Sequence, residues 1–186
     1  MNKRNLVRLI LALFLVNCFV ISACAAHVTD DAGLFSEQEL RDLEQRAAEI
    51  SEKYNFGVYI VTLTNYSDYN GSSNIQRFAM DYYDTHGFGV GDNRDGTMLL
   101  LSIAERDYDL DFNGSYANEA FTTFGREQME SRFLAYFHDD DYYGGFSEYL
   151  DTCMEYLQAA EDGNPVDERL PLWIALIPGA IAAILA

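Results

Sequence analysis

Cysteine is scarce in this sequence, and its placement leaves no disulfide framework. Cys18 and Cys24 fall within the first 24 residues, and Cys153 stands alone in a helical pattern with Tyr149, Leu150, Met154 and Leu157. A thiolate metal site is excluded on the same count. The histidines His27, His86 and His138 form no pair with zinc spacing. A G-x-S-x-G nucleophile turn is absent, and so is Gly-Lys-Ser/Thr. Gly87-x-Gly89-x-Gly91 precedes a strand pattern rather than opening a helix. It therefore reads as a flexible loop, not a phosphate cradle. A hydrolase built on this chain would have to work through carboxylates and a metal that activates water or clamps a phosphoryl oxygen.

Basic residues are also few. Twelve Lys and Arg face 30 Asp and Glu, a formal net charge of −18. Three of the twelve, Lys3, Arg4 and Arg8, lie at the N-terminus, so the remainder carries −21. This excludes nucleic acid as a partner, because the cationic footprint is missing. It also repels anionic lipid head groups. Cations are the natural small partners, although acidity alone serves solubility.

The two ends differ from the middle. Lys3, Arg4 and Arg8, then apolar Leu9 to Val20, then Ile21-Ser22-Ala23-Cys24-Ala25-Ala26 have the three parts of an export signal. The apolar core is too short to span a bilayer comfortably. Residues 1–25 are thus expected to be a signal peptide, with two cleavage readings open. Ala23-Cys24-Ala25 fits cleavage before Ala26, whereas Ile21-Ser22-Ala23-Cys24 resembles a lipobox that would make Cys24 a lipidated N-terminus. Leu170 to Ala186 is uncharged and follows Glu168-Arg169. It would extend about 25 Å as a helix. It is expected to be a transmembrane helix cut short, with Trp173 as an interfacial anchor. The alternative is a packed C-terminal helix. Between the ends, residues 27–162 suit one domain, and 163–169 form a linker.

Within the domain, Val28 to Phe35 reads as an extended lead-in. Ser36-Glu37-Gln38-Glu39 is a capping box. Leu40, Leu43, Ala47, Ile50 and Tyr54 follow at helical spacing. Val58–Leu63 is β-branched and apolar, a buried strand. Residues 65–73 read as a polar loop. A second helix runs from Ile75 to about His86, and Thr97–Ile103 is a second buried strand. A turn over Ala104–Asp107 leads into Tyr108-Asp109-Leu110-Asp111-Phe112, which alternates like a half-exposed strand. Helices over about Gly125–Phe137 and Tyr142–Ala160 complete an α/β layered arrangement.

The candidate chemistry lies in two acidic loops. Asp30-Asp31 precedes the first helix, and Asp92-Asn93-x-Asp95 precedes a buried strand. Hard cations such as Ca²⁺ take several carboxylate and carbonyl oxygens, which two such loops can supply. The same residues also suit turns and helix caps. Asp139-Asp140-Asp141 reads chiefly as a solvated loop that caps the next helix.

Several segments, in order, resemble the TPM domain family. Val28-Thr29-Asp30-Asp31-Ala32-Gly33-Leu34-Phe35-Ser36 is similar to its V-x-D-x-A-G-x-L-S opening, with Phe35 in place of leucine. Gly57-Val58-Tyr59-Ile60-Val61-Thr62 resembles its first core strand. Asp95-Gly96-Thr97-Met98-Leu99-Leu100-Leu101 resembles its D/N-G-V-L-L-L-L segment, with Thr97 and Met98 as departures. Arg106 and Asp141-Tyr142-Tyr143-Gly144-Gly145-Phe146 also match. Ser115-Tyr116 stands where a second glycine is frequent in the family. The family includes a thylakoid-lumen acid phosphatase, photosystem-repair proteins and bacterial membrane-anchored proteins. The resemblance implies a three-layer α/β/α sandwich around a short mixed sheet, export and membrane anchoring on the extracytoplasmic side. It also implies Ca²⁺ at Asp30, Asp31, Asp92 and Asp95. Three functional readings follow. One is an anchored module binding a divalent cation or membrane and envelope proteins. The second is a metal-assisted acid phosphatase acting on phosphomonoesters, and the third a structural envelope domain.

Overall fold

The computed structural model describes residues 26–70 and 73–167. The expected signal peptide and the apolar segment 170–186 lie outside them. Among the described residues no helix is long and apolar enough to cross a membrane. The chain forms β1 (Val28–Asp30), α1 (Glu37–Tyr54), β2 (Gly57–Leu63), α2 (Ser67–Asn70), α3 (Ile75–Thr85), β3 (Gly96–Ser102), β4 (Asp107–Asn113), α4 (Ser115–Ala120), α5 (Thr123–Phe137) and α6 (Tyr142–Glu161).

The strands form one sheet in the order β1-β2-β3-β4, parallel except for the antiparallel β3–β4 pair. Every residue of β2 and β3 is buried, as their unbroken apolar runs require when helices cover both faces. Val58, Ile60, Leu99 and Leu101 point into a core with α1, α5 and α6. Tyr59, Val61, Leu63, Met98 and Leu100 point into a second core with α3. The α/β fold with a mixed sheet is as expected. The layers are unequal, with α3 covering one face.

α1 begins where the sequence places it. The Ser36 side chain accepts from the Glu39 amide, and the Glu39 carboxylate accepts from the Ser36 amide. Asn55 closes the helix in the left-handed conformation with φ 49°, which asparagine tolerates better than most residues. His27, one residue before β1, is buried. Its Nδ1 lies 2.9 Å from the Val58 carbonyl.

Three local expectations are corrected, and one element is added. The lead-in is a strand only as far as Asp30, and the chain then turns through Asp31 and Ala32. The polar loop holds the short α2, whose start is organised by the Asn65 carboxamide accepting from the Ser67 amide and hydroxyl. The glycine-rich segment is a closed turn. Val90 and Asp95 bridge across it, while the Arg94 guanidinium donates to the Phe88 and Tyr83 carbonyls and pairs with Asp84 at 2.7 Å. Finally, α4 follows β4 directly. Gly114 makes this possible with φ 89°, at a point where a Cβ would collide with Asp95.

β1, β2 and β3 advance in one direction across the sheet, yet α1 covers one face and α3 the other. One of these two parallel crossovers is therefore left-handed, against a strong right-handed preference. The chain consequently leaves the adjacent ends of β1 and β2 toward opposite faces.

Candidate functional site

In open α/β sheets, ligands bind beyond the carboxyl ends of strands where adjacent connections diverge to opposite faces. Here that place is the end of β1 and β2, and it holds Asp30 and Asp31. Asp30 is committed to the backbone. Its two carboxylate oxygens accept from the Leu34 and Phe35 amides at 3.0 Å each, and the Thr62 hydroxyl donates a short bond to it. Asp31 is exposed and accepts from the Tyr69 hydroxyl at 2.9 Å. The Tyr69 hydroxyl is pushed up to about 12, first by lost hydration and then by the neighbouring Asp31 carboxylate. α2 thus ties two loops together, because Tyr69 holds Asp31 while Ser67 lies 3.5 Å from Glu105. Glu105 also accepts a short bond from the Ser102 hydroxyl at the end of β3. Asp31 and Glu105 are exposed carboxylates at this end of the sheet.

Asp92 and Asp95 lie at the opposite end. The Asp95 carbonyl accepts from the amide of Gly57, the first residue of β2, at 3.0 Å. Its carboxylate accepts from the Tyr116 amide at 2.7 Å, which fixes the start of α4. Asp92 is exposed on the closed turn. Asp30 is in register with Thr62, five residues along β2 from Gly57, about 17 Å at strand spacing. The structure brings Asp30 beside Asp31 and sets Asp92 near Asp95, but it does not bring the two pairs together. The reason is topological. One loop follows β1 and the other precedes β3, and in parallel strands these are opposite ends. Among the described residues no three Asp, Glu, His or Cys side chains stand close enough to hold a metal ion.

A further acidic feature was not singled out from the sequence. Asp107, Asp109 and Asp111 alternate along β4, opposite Ser102, Leu100 and Met98 of β3. They share the sheet face covered by α3, while Tyr108, Leu110 and Phe112 pack into the other core. Burial, then the Asp111 and Asp107 charges, lift the Asp109 carboxyl to about 6. Asp111 is raised as well, chiefly by burial, and one of its oxygens is buried without a hydrogen-bond partner. Its countercharge is Arg126, which sits 4.3 Å from the Phe112 ring centroid. Alternation in the sequence identified the strand. It could not reveal that the acidic face would be roofed by α3.

A four-stranded mixed sheet with helices on both faces and an acidic divergence point defines a small α/β domain of a recognisable class. The chain belongs to the TPM domain family, whose model matches residues 28–156. Solved structures share the fold. The N-terminal domain of a P. gingivalis protein superposes with a TM-score of 0.61 at 18% identity, covering 80% of this chain and 92% of that one. The BA42 protein from Bizionia argentinensis gives 0.58 at 10% identity, covering 74% and 91%. The N-terminal domain of a Corynebacterium glutamicum protein gives 0.55 at 12%, covering 83% and 93%. No curated protein matches the sequence.

Proposed function

We propose that this TPM domain is an exported module, held at the outer face of a bacterial membrane, that binds a divalent cation or a partner protein and assists a membrane complex. Its place outside the cytoplasm rests on the charged and apolar pattern of residues 1–25 and the apolar run 170–186. The observation that carries the binding reading is the divergence of the chain at the ends of β1 and β2, with the exposed Asp31 carboxylate held by Tyr69 at that point. The exposed Asp31 and Glu105 carboxylates lie at this end of the sheet, and Ca²⁺ is the cation that suits such oxygens. The metal-assisted phosphatase needs converging carboxylates. The commitment of Asp30 and Asp95 to backbone amides at opposite ends of the sheet favours the binding module over it.

The test is the thermal midpoint of the full chain in nanodiscs with and without millimolar Ca²⁺, for the parent and for Asp31→Asn. At 100 times the dissociation constant, binding adds about 2.7 kcal/mol, a shift of several degrees. A shift that Asp31→Asn abolishes is the expected result. No shift in the parent removes the cation from the proposal. Hydrolysis of p-nitrophenyl phosphate lost with Asp31→Asn would instead establish the phosphatase.

A further inference from the structure

A cavity of about 210 Å³ opens between the β3–β4 turn and the α5–α6 turn. Leu101, Leu134 and Phe137 form its floor, and Arg106, His138 and Tyr142 stand at its mouth. An apolar cavity of about 150 Å³ accommodates benzene, so this one takes a single leucine or aromatic side chain.

The mouth is built with conformational cost on both sides. Arg106 has φ 51° and Asp140 has φ 56°, a region that glycine or asparagine would occupy more readily. These two residues pair across the opening at 3.1 Å, and the Tyr142 hydroxyl donates to the same Asp140 oxygen at 3.0 Å. Arg106 and Asp140 are 67% and 61% exposed, so their pair holds the mouth only weakly. The α5–α6 turn carries Asp139 and Asp141 on either side of Asp140, so three acidic residues of one turn stand next to the single Arg106 guanidinium. An anionic ligand would meet repulsion here. The existing Arg106–Asp140 pair shows where a guanidinium fits.

We propose that this cavity receives one apolar anchor side chain from a basic segment of a partner protein, with Lys or Arg beside the anchor engaging Asp139 and Asp140. A buried anchor in a pocket with a charged rim is the usual arrangement at the centre of a specific interface. The inference rests on the domain's being a binding module, but not on the site at Asp31.

The probe is a fluorescent peptide, acetyl-Arg-Lys-Phe-Lys-Arg-amide, titrated by anisotropy against the full chain in phosphatidylcholine nanodiscs, with empty nanodiscs as background. Replacing its phenylalanine by alanine should weaken binding at least tenfold. In the protein, Leu134→Trp, which fills the cavity, and Asp139→Asn with Asp140→Asn on the surface should each do the same while circular dichroism stays unchanged. If Leu134→Trp disturbs the fold, the surface pair decides alone. No binding by the peptide at millimolar protein, equal binding of acetyl-Glu-Glu-Phe-Glu-Glu-amide, or binding indifferent to the variants would overturn the proposal. Ca²⁺ stabilisation that depends on Asp31 would survive any of these results, so the two readings fail separately.

Discussion

Asp109 stands directly across the β3–β4 ladder from Leu100, a fully buried residue, and the two side chains share a face of the sheet. A carboxylate beside that leucine loses hydration, which is why its pKa rises from 3.8 to about 6. The native state therefore holds this proton more tightly than the unfolded chain does. The sign follows from linkage: stability from this group is full below pH 4 and is lost as pH rises through 6. Two pH units correspond to about 3 kcal/mol, and partial solvation of the site reduces this to about 1 kcal/mol. Asp109→Asn should stabilise the protein by that amount at pH 7, with the gain vanishing near pH 4. Urea unfolding at the two pH values checks it, together with an NMR titration placing Asp109 near 6.

Asp30 and Asp31 are neighbours with opposite expected phenotypes. Asp30→Ala strips acceptors from the Leu34 and Phe35 amides and from the Thr62 hydroxyl. Leaving such donors unsatisfied should cost about 2–4 kcal/mol, with or without Ca²⁺. Asp31→Asn is exposed and should change stability in buffer by less than about 0.5 kcal/mol. Denaturant midpoints of both variants separate the acid committed to the backbone from the exposed one.

Gly114→Ala should destabilise by about 1–3 kcal/mol. Its φ of 89° is strained for any side chain, and the added Cβ would strike Asp95. The loss should appear as a lower thermal midpoint. Gly163, also at positive φ (71°) but with nothing near its Cβ direction, should tolerate alanine at smaller cost.

Cys153 is completely buried in the core against α1 and the sheet, and burial pushes its thiol well above the ordinary range. In the native protein Cys153 should resist maleimide at pH 7, and its labelling should begin only in denaturant. Labelling rates near zero denaturant would then report global opening. Rapid modification of Cys153 in the native protein would contradict this packing.

The helices and strands with strong periodicity were legible in the sequence, and so was the cap at Ser36. What escaped depends on tertiary contact. α4 exists because Gly114 can turn and Asp95 can catch the Tyr116 amide, two residues with no periodic signature. The separation of Asp30–Asp31 from Asp92–Asp95 was implicit in loop order, since one pair follows a strand and the other precedes one, but only a known parallel register makes that decisive. The cavity at Arg106 draws its walls from β3, β4, α5 and α6, and no local pattern foretells it. The acidic strip on β4 looked like a solvated face because its roof, α3, lies more than twenty residues earlier in the chain.

That strip also bears on self-assembly. β4 is one of the two outer strands of the sheet, and an outer strand is a template on which a second copy can build. Antiparallel stacking of two β4 strands would set Asp107, Asp109 and Asp111 of each molecule against those of the other. The Asp107 carboxylate already accepts from the Tyr108 amide at 3.0 Å, which draws an edge donor away from any incoming chain. At high local concentration, the residues that make this edge expensive to bury also oppose the zipping of neighbouring copies into fibres.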